Sequence, residues 1–184
     1  MGGEPPADRG GNSGPAPGSR TTAAWSRLAL IACAVLLVLC AEPAQAASNN
    51  VRITKLSDVA FGTLANLSAD AVRTENICAF ANTATNGYTV RASGSGSGGG
   101  FSLASASGSL PFELQWNDAA GQGSGTPMTA NVALAGQVSV ATQQTCNSGP
   151  AFSASLIVIL RSAALSSAAA GSYNGSVTLV IGPE

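Results

Sequence analysis

The sequence contains no histidine and a single lysine, Lys55. Without histidine, neither a Ser–His–Asp nor a Cys–His catalytic arrangement can form. Charged residues make up only 9% of the chain, and the net charge is −1. A near-neutral chain lacks the basic patch that nucleic-acid binding usually requires. These absences predict a protein that is not an enzyme, uses no cofactor or metal, and has no nucleic-acid partner.

Long hydrophobic runs are also missing, because the longest apolar segment spans only Leu28–Cys40. A membrane-spanning helix needs about 20 apolar residues, whereas this length is typical of a secretory signal core. Arg27 precedes the run, and the small residues of Ala44–Ala46 follow it. We therefore expect signal cleavage between Ala46 and Ala47. Residues 1–46 would then be an N-terminal extension with a signal peptide, and residues 47–184 a single domain.

Two other interpretations of this segment stay open. Cys40 could carry a lipid, although the residue before it, Leu39, is bulkier than lipoprotein signals usually have. The segment could also be retained as an anchor. The favoured prediction is an exported protein with no stable membrane span after cleavage, located in the periplasm, at the cell surface or outside the cell.

The cysteine count supports export to an oxidising compartment. Cys33 and Cys40 lie in the predicted signal, so Cys78 and Cys146 remain as an even pair. In an oxidising compartment such a pair predicts a disulfide. A structural zinc site is the rival, but two cysteines without histidine cannot complete one.

Alternating and β-branched segments predict an all-β fold, and no convincing amphipathic helix is present. Asn86–Gly87 predicts a tight turn, and Trp116 is expected to anchor the core. The run at 155–162 favours a strand buried on both faces, with a short internal helix as the alternative. Eight or nine such strands predict an antiparallel β-sandwich with one disulfide. The predicted strands cover residues 51–56, 59–64, 76–80, 88–92, 110–116, 131–134, 137–140, 155–162 and 175–181.

The last predicted strand has no following segment in the sequence to pair with. Val177, Leu179 and Ile181 would share one face by the period-two rule, and the sequence ends at Glu184. A strand needs hydrogen-bonding neighbours, so this edge raises the question of what completes it.

Few side chains are candidates for chemistry. Glu113 and Asp118 could form a glycosidase-like carboxylate pair, but a strand residue and a turn residue are the simpler interpretation. Asp118 with Asn117 could touch Ca²⁺, although the spaced carboxylates of a calcium loop are missing. The predicted catalytic and metal sets are therefore empty.

Four segments together resemble a known family. They are "DVAFGTL", "NICAF", "GYTVRAS" and the closing "AAGSYNGSVTLVIGPE". The chain from about Val51 to Glu184 resembles the spore coat protein U-like secreted domains, which are similar to chaperone–usher pilin subunits. The resemblance implies an immunoglobulin-like, pilin-like sandwich that lacks its last strand. The resemblance also implies that a periplasmic chaperone supplies that strand first and that a neighbouring pilin-like subunit supplies it later.

The resemblance predicts an exported structural subunit of a surface fibre or coat, assembled by β-strand complementation. Val177, Leu179 and Ile181 would form the edge strand for subunit pairing. Two departures weaken this prediction: Ala47–Asn50 is too short for a donor strand unless the segment after it is donated, and Gly182–Pro183 would discourage further pairing. The alternative is a stand-alone secreted sandwich that binds a ligand through the loops at 94–100 and 117–127.

Overall fold

The computed structural model describes residues 49–184, and the predicted signal peptide and cleavage site at Ala46–Ala47 lie outside the described residues. Extended segments dominate this part of the chain. One 3₁₀ turn (Ser97–Gly99) and one short helix, α1 (Ser162–Ser167), interrupt the strands. The strands are β1 (Asn50–Thr54), β2 (Ala71–Asn82), β3 (Gly87–Gly94), β4 (Ser102–Ser105), β5 (Gly108–Pro111), β6 (Glu113–Asn117), β7 (Thr126–Pro127), β8 (Ala133–Val138), β9 (Ala154–Leu160) and β10 (Val177–Pro183).

The strands form two main antiparallel sheets and a small hairpin. The first sheet has the order β1-β2-β9-β6-β7, the second has the order β10-β3-β8, and β4 pairs with β5. This architecture confirms the predicted antiparallel β-sandwich. Each main sheet ends in strands with one unpaired edge, which are β1 and β7 in the first sheet and β10 and β8 in the second.

The two main sheets share one hydrophobic core. Alternate residues of each strand point inward, so Tyr88 on β3 meets Trp116 on β6, and both are fully buried. The Trp116 Nε1–H donates to the Tyr88 hydroxyl at 3.1 Å, and the rings pack edge to face. Burial raises the pKa of the Tyr88 hydroxyl far above its usual range. The prediction that Trp116 anchors the core is confirmed.

β9 is the central strand of the five-stranded sheet, between β2 and β6. Every residue from Ala154 to Leu160 is buried, which confirms the prediction of a strand covered on both faces and rules out the alternative of an internal helix. One face packs into the core. On the other face, the segment after β6 folds back, where Gln122 N–H donates to Ser155 Oγ and Gln122 C=O accepts from Thr74 Oγ1.

Several predicted boundaries were wrong. Residues 59–64 form no strand, because Gly62 has a φ of +67° that breaks the extended geometry, although Val59 and Phe61 still pack on the core. The single strand predicted at 110–116 is two strands, β5 and β6. Phe112 separates them, and its N–H donates to Phe101 O at 3.1 Å.

Two further differences concern β8 and α1. The two strands predicted at 131–134 and 137–140 are one strand, which begins only at Ala133, after Asn131 adopts a φ of +63°. α1 was not predicted, because a helix of six residues is too short to show helical periodicity. Within residues 49–184, no helix has the length and apolar character needed to cross a membrane.

The turn predicted at Asn86–Gly87 is confirmed. Asn86 adopts a φ of +54°, and its N–H donates to Thr83 O at 3.2 Å. This turn joins β2 to β3, and so connects the two main sheets.

Candidate functional site

The last strand, β10, lies at the edge of the three-stranded sheet and runs antiparallel to β3. The register is regular from Val177 opposite Gly94 to Pro183 opposite Tyr88. Val177, Leu179 and Ile181 face the core and are only partly buried. Val180 points to the outer face and is 47% exposed. The alternation expected from the sequence is therefore present.

Hydrogen bonds at both ends of β10 show which backbone groups already have partners. Ser176 O accepts from Ser95 N at 3.0 Å, and Glu184 N donates to Gly87 O at 3.1 Å. In an antiparallel ladder, bonding toward one neighbour recurs every second residue. The even-numbered residues of β10 therefore bond to β3, and the backbone groups of Val177, Leu179 and Ile181 point away from it.

This outward-pointing row has no strand partner in the described part of the chain. β1 lies within 8 Å of β10, measured between Cα atoms, but its ladder bonds go to β2. Val51 and Ile53 of β1 pack against the same core and are also only partly buried. β1 and β10 thus lie side by side over partly buried core residues; we call this strip the β10 groove and define it by these two strands.

The β1 side of this groove is held by the loop that carries the disulfide. Cys78 on β2 and Cys146 are joined with a Cα–Cα distance of 5.9 Å across 68 residues, as predicted. The Lys55 ammonium, directly after β1, donates to the carbonyls of Cys146 and Ala151, both at 3.0 Å. Thr54 Oγ1 donates to Gln144 O in the same loop. The disulfide loop therefore fixes the position of the chain beside β10.

The opposite edge of the same sheet, β8, has a different environment. Val138 N–H donates to Asp118 Oδ2 at 3.2 Å, and Gly136 N–H donates to Glu184 Oε2 at 2.7 Å. Two carboxylates thus bind backbone donors of β8. No local sequence pattern indicates these two contacts, because the partners lie 20 and 48 residues apart.

A charged cluster lies at one end of the five-stranded sheet. Arg161 contacts Asp70 at 2.8 Å and Glu113 at 2.5 Å. Asp70 also accepts from the N–H of Ser162, at the start of α1. The hydrogen bond from Ser162 and the Arg161 guanidinium lower the pKa of Asp70, and hydrogen bonding to Arg161 lowers the pKa of Glu113. All three side chains are at least a third exposed, so this cluster is a solvated ion-pair network.

The structure places the two carboxylates considered for catalysis in separate roles. Glu113, the first residue of β6, pairs with Arg161, whereas Asp118 follows β6 and binds β8. Asn117, considered with Asp118 for calcium, has its side-chain oxygen bound to Ala119 N–H. Among residues 49–184, no three His, Cys, Asp or Glu side chains cluster as a metal site.

The loops considered for ligand binding are tied to the body of the protein. In the loop at 117–127, Gly121 N–H donates to Asn76 Oδ1 and Gly125 N–H donates to Gln115 Oε1. In the loop at 94–100, Gly98 O accepts from Asn131 Nδ2. Beside this second loop is an open depression of about 580 Å³, lined by small Ser, Gly, Ala and Asn residues that include those just before β10.

Comparison with known proteins gives a likeness to solved structures. No family model matches the chain and no curated protein matches it, so the resemblance to spore coat protein U-like domains is not confirmed. The chain is similar to one in a solved chaperone–tip adhesin complex of CFA/I fimbriae biogenesis, with 17% identity and a TM-score of 0.48. The match covers 73% of this chain and 43% of that chain. Because this likeness is weak, the function proposed below rests on the strands and hydrogen bonds of this chain.

Proposed function

We propose that this protein is an exported structural subunit of a chaperone–usher-type surface fibre or coat, and that it assembles by β-strand complementation at the β10 groove. The observation that carries the proposal is the outward-pointing backbone row of Val177, Leu179 and Ile181 on a strand whose core-facing side chains are only partly covered. Strand addition uses these two features, since main-chain hydrogen bonds give affinity and alternate side chains fill pockets.

The groove defines the chemistry of the donor strand. An extended segment of about five residues would match the length of β10 from Val177 to Ile181, at about 3.3 Å per residue. Apolar side chains at alternate positions would cover the exposed strip of core, at about 25 cal/mol per Å² of apolar surface buried. Pro183 has no N–H to offer, so the ladder would weaken at that end.

The partners that fit are a periplasmic chaperone and neighbouring pilin-like subunits, each supplying one strand. β1 pairs with β2 of its own chain from Asn50 opposite Asn82 to Thr54 opposite Cys78. The earlier alternative, donation of the segment 51–56 to a neighbour, would therefore require β1 to leave this ladder. We place the protein in the periplasm, at the cell surface or outside the cell.

The alternative function is a stand-alone secreted binding module. It is favoured by the completeness of polar contacts in the described residues, where every buried side-chain nitrogen or oxygen has a hydrogen-bond partner. The depression beside the loop at 94–100 would be its binding surface.

The two functions differ in how the exported protein responds to a donor strand. The full chain would be produced in a bacterial periplasm and studied by analytical ultracentrifugation and thermal unfolding. The donor probe is a synthetic peptide of residues 47–56, with a scrambled peptide as control. Strand complementation predicts oligomers or low stability without the peptide, and a higher Tm with it. A monomer with a sharp transition that neither peptide changes would contradict the proposal and support the binding module.

A further inference from the structure

The three-stranded sheet has a second edge strand, β8, and two carboxylates bind its backbone donors. Strand edges with apolar side chains are templates for pairing with another chain. Val132, Val138 and Val140, on or beside β8, are 55%, 47% and 58% exposed. By composition, this edge should attract a second copy of the same chain.

The backbone donor of Val138 points to the free side of β8. Ser139 N–H donates to Asn86 O at 2.9 Å, at the end of the β3–β8 pairing. Because bonding direction alternates along an antiparallel strand, the preceding residue, Val138, directs its N–H outward. That outward N–H is the group that donates to Asp118 Oδ2. A pairing strand would need the same donor.

Asp118 reaches this position from the other sheet. It follows Asn117, the last residue of β6, whereas Val138 ends β8 of the three-stranded sheet. The Asp118–Val138 hydrogen bond therefore also joins the two sheets at this side. On the opposite side, where β1 lies beside β10, no such bond joins the two strands in the described chain.

Glu184 binds a backbone donor in the middle of the same strand, within a bulge. The register moves from Tyr88 opposite Gln137 to Val90 opposite Leu134, so β8 has one extra residue. Gly136, within this bulge, has a φ of +74°, and its N–H donates to Glu184 Oε2. A bulge in an edge strand is a feature that prevents edge-to-edge pairing.

We propose that Asp118 is an edge guard, which occupies the outward N–H of Val138, and that Glu184 supports it by holding the bulge at Gly136, so that a second copy of this chain cannot pair at β8. The consequence is directional within the three-stranded sheet: of its two edges, β10 is the one without a guarding side chain in the described residues. This inference goes beyond the proposed function and does not depend on it, because it concerns self-pairing at β8 whether or not β10 receives a donor.

The test separates loss of the acceptor from loss of charge. The double substitution Asp118→Leu and Glu184→Leu removes both acceptors, whereas Asp118→Asn with Glu184→Gln keeps a carbonyl oxygen at each position. Asp58→Leu is the control for losing a carboxylate in a loop. Amide hydrogen exchange at Gly136 and Val138 would be followed by NMR in the full exported chain, at about 10 µM and about 300 µM.

We expect the leucine variant to exchange these two amides at least ten times faster than the wild type at low concentration. At high concentration it should gain protection there and form dimers or larger species. The Asn/Gln variant and the Asp58→Leu control should behave like the wild type. The proposal is overturned if the leucine variant shows no concentration-dependent protection at β8, or if Asp58→Leu causes the same self-association.

Failure of the double variant to fold is covered by the single variant Asp118→Ala, which should show faster exchange at Val138 and unchanged exchange at Gly136. Equal acceleration at both amides, or at neither, would contradict the assignment. Because the readout is local to β8, failure of the proposed function at β10 would leave this result unchanged.

Discussion

The two edges of the three-stranded sheet differ in how their backbone groups are satisfied. β8 has a bulge, and the carboxylates of Asp118 and Glu184 occupy its donors. β10 is regular along its length, and within residues 49–184 no side chain is bound to the outward N–H groups of Val177, Leu179 and Ile181. Proteins usually protect their edge strands. The contrast within one sheet indicates that an unprotected β10 is a specific feature of this chain.

The largest expected effect is on the chain that borders the β10 groove. Replacing Cys78 and Cys146 with serine should lower the free energy of unfolding by about 4 kcal/mol, since the disulfide restricts the unfolded chain over a long loop. Chemical denaturation of the wild type with and without reductant would measure the same loss. Amides of β1 should lose protection more than those of the protected β8 edge, because Lys55 and Thr54 bond to the disulfide loop. Equal loss of amide protection in β1 and β8 would contradict the proposed difference between the two sides of the molecule.

The next effect should be shared by both edges. Tyr88→Phe removes the acceptor of the buried Trp116 N–H, which costs about 1–3 kcal/mol when a buried donor is left without a partner. Trp116 lies in the core between the sheets, so β8 and β10 should lose protection to a similar extent. Urea denaturation followed by tryptophan fluorescence would measure the change. The double variant Tyr88→Phe/Trp116→Phe should lose less unfolding free energy than the sum of the losses in the two single variants, because the two side chains share one hydrogen bond.

A smaller effect should separate the two faces of β10. Ile181→Thr shortens an apolar side chain at the groove, whereas Val180→Thr makes a similar change on the outer face. Binding of a peptide of residues 47–56, measured by calorimetry, should weaken by about tenfold for Ile181→Thr, which corresponds to about 1.4 kcal/mol. Binding to Val180→Thr should stay within about twofold of the wild type. Equal weakening by both variants would show that the peptide does not recognise the groove.

The smallest effect concerns a cluster that belongs to neither edge. The pKa values of Asp70 and Glu113 are lowered in the folded protein, so their contribution to stability is complete above the unfolded-state values near pH 4. It is lost as the pH falls through the lower folded-state values. Arg161→Gln should therefore lower the Tm at pH 7 by a few degrees, with the difference from wild type shrinking below about pH 4. A constant difference across this range would contradict the ion-pair account.

The sequence predicted side-chain directions better than hydrogen-bonding neighbours. The alternation in β10 and the fully apolar run of β9 identified two strands, because burial leaves a period in the sequence. The same alternation at Val59 and Phe61 led to a predicted strand that the structure lacks. Alternation reflects which side chains are buried, and it does not show whether the backbone pairs with a neighbouring strand. The division into β5 and β6 at Phe112 arises because β5 pairs with β4 whereas β6 pairs with β9. No local sequence pattern contains that information.

The candidate site was predictable only in part. Alternation in the sequence identified the core-facing residues Val177, Leu179 and Ile181. The predicted oxidising compartment identified the Cys78–Cys146 disulfide. Asp118 and Glu184 could not be assigned as partners of β8, because each depends on a contact between distant segments of the fold.

The most direct test of the open edge is residue-specific amide hydrogen exchange along β10 in the protein produced in a bacterial periplasm. The alternation predicts fast exchange at Val177, Leu179 and Ile181 and slow exchange at Thr178 and Val180, with Val138 on β8 also slow. Addition of the donor peptide should slow only the fast group. Uniform protection along β10 without the peptide would mean that this edge is already closed, and would contradict assembly by strand complementation.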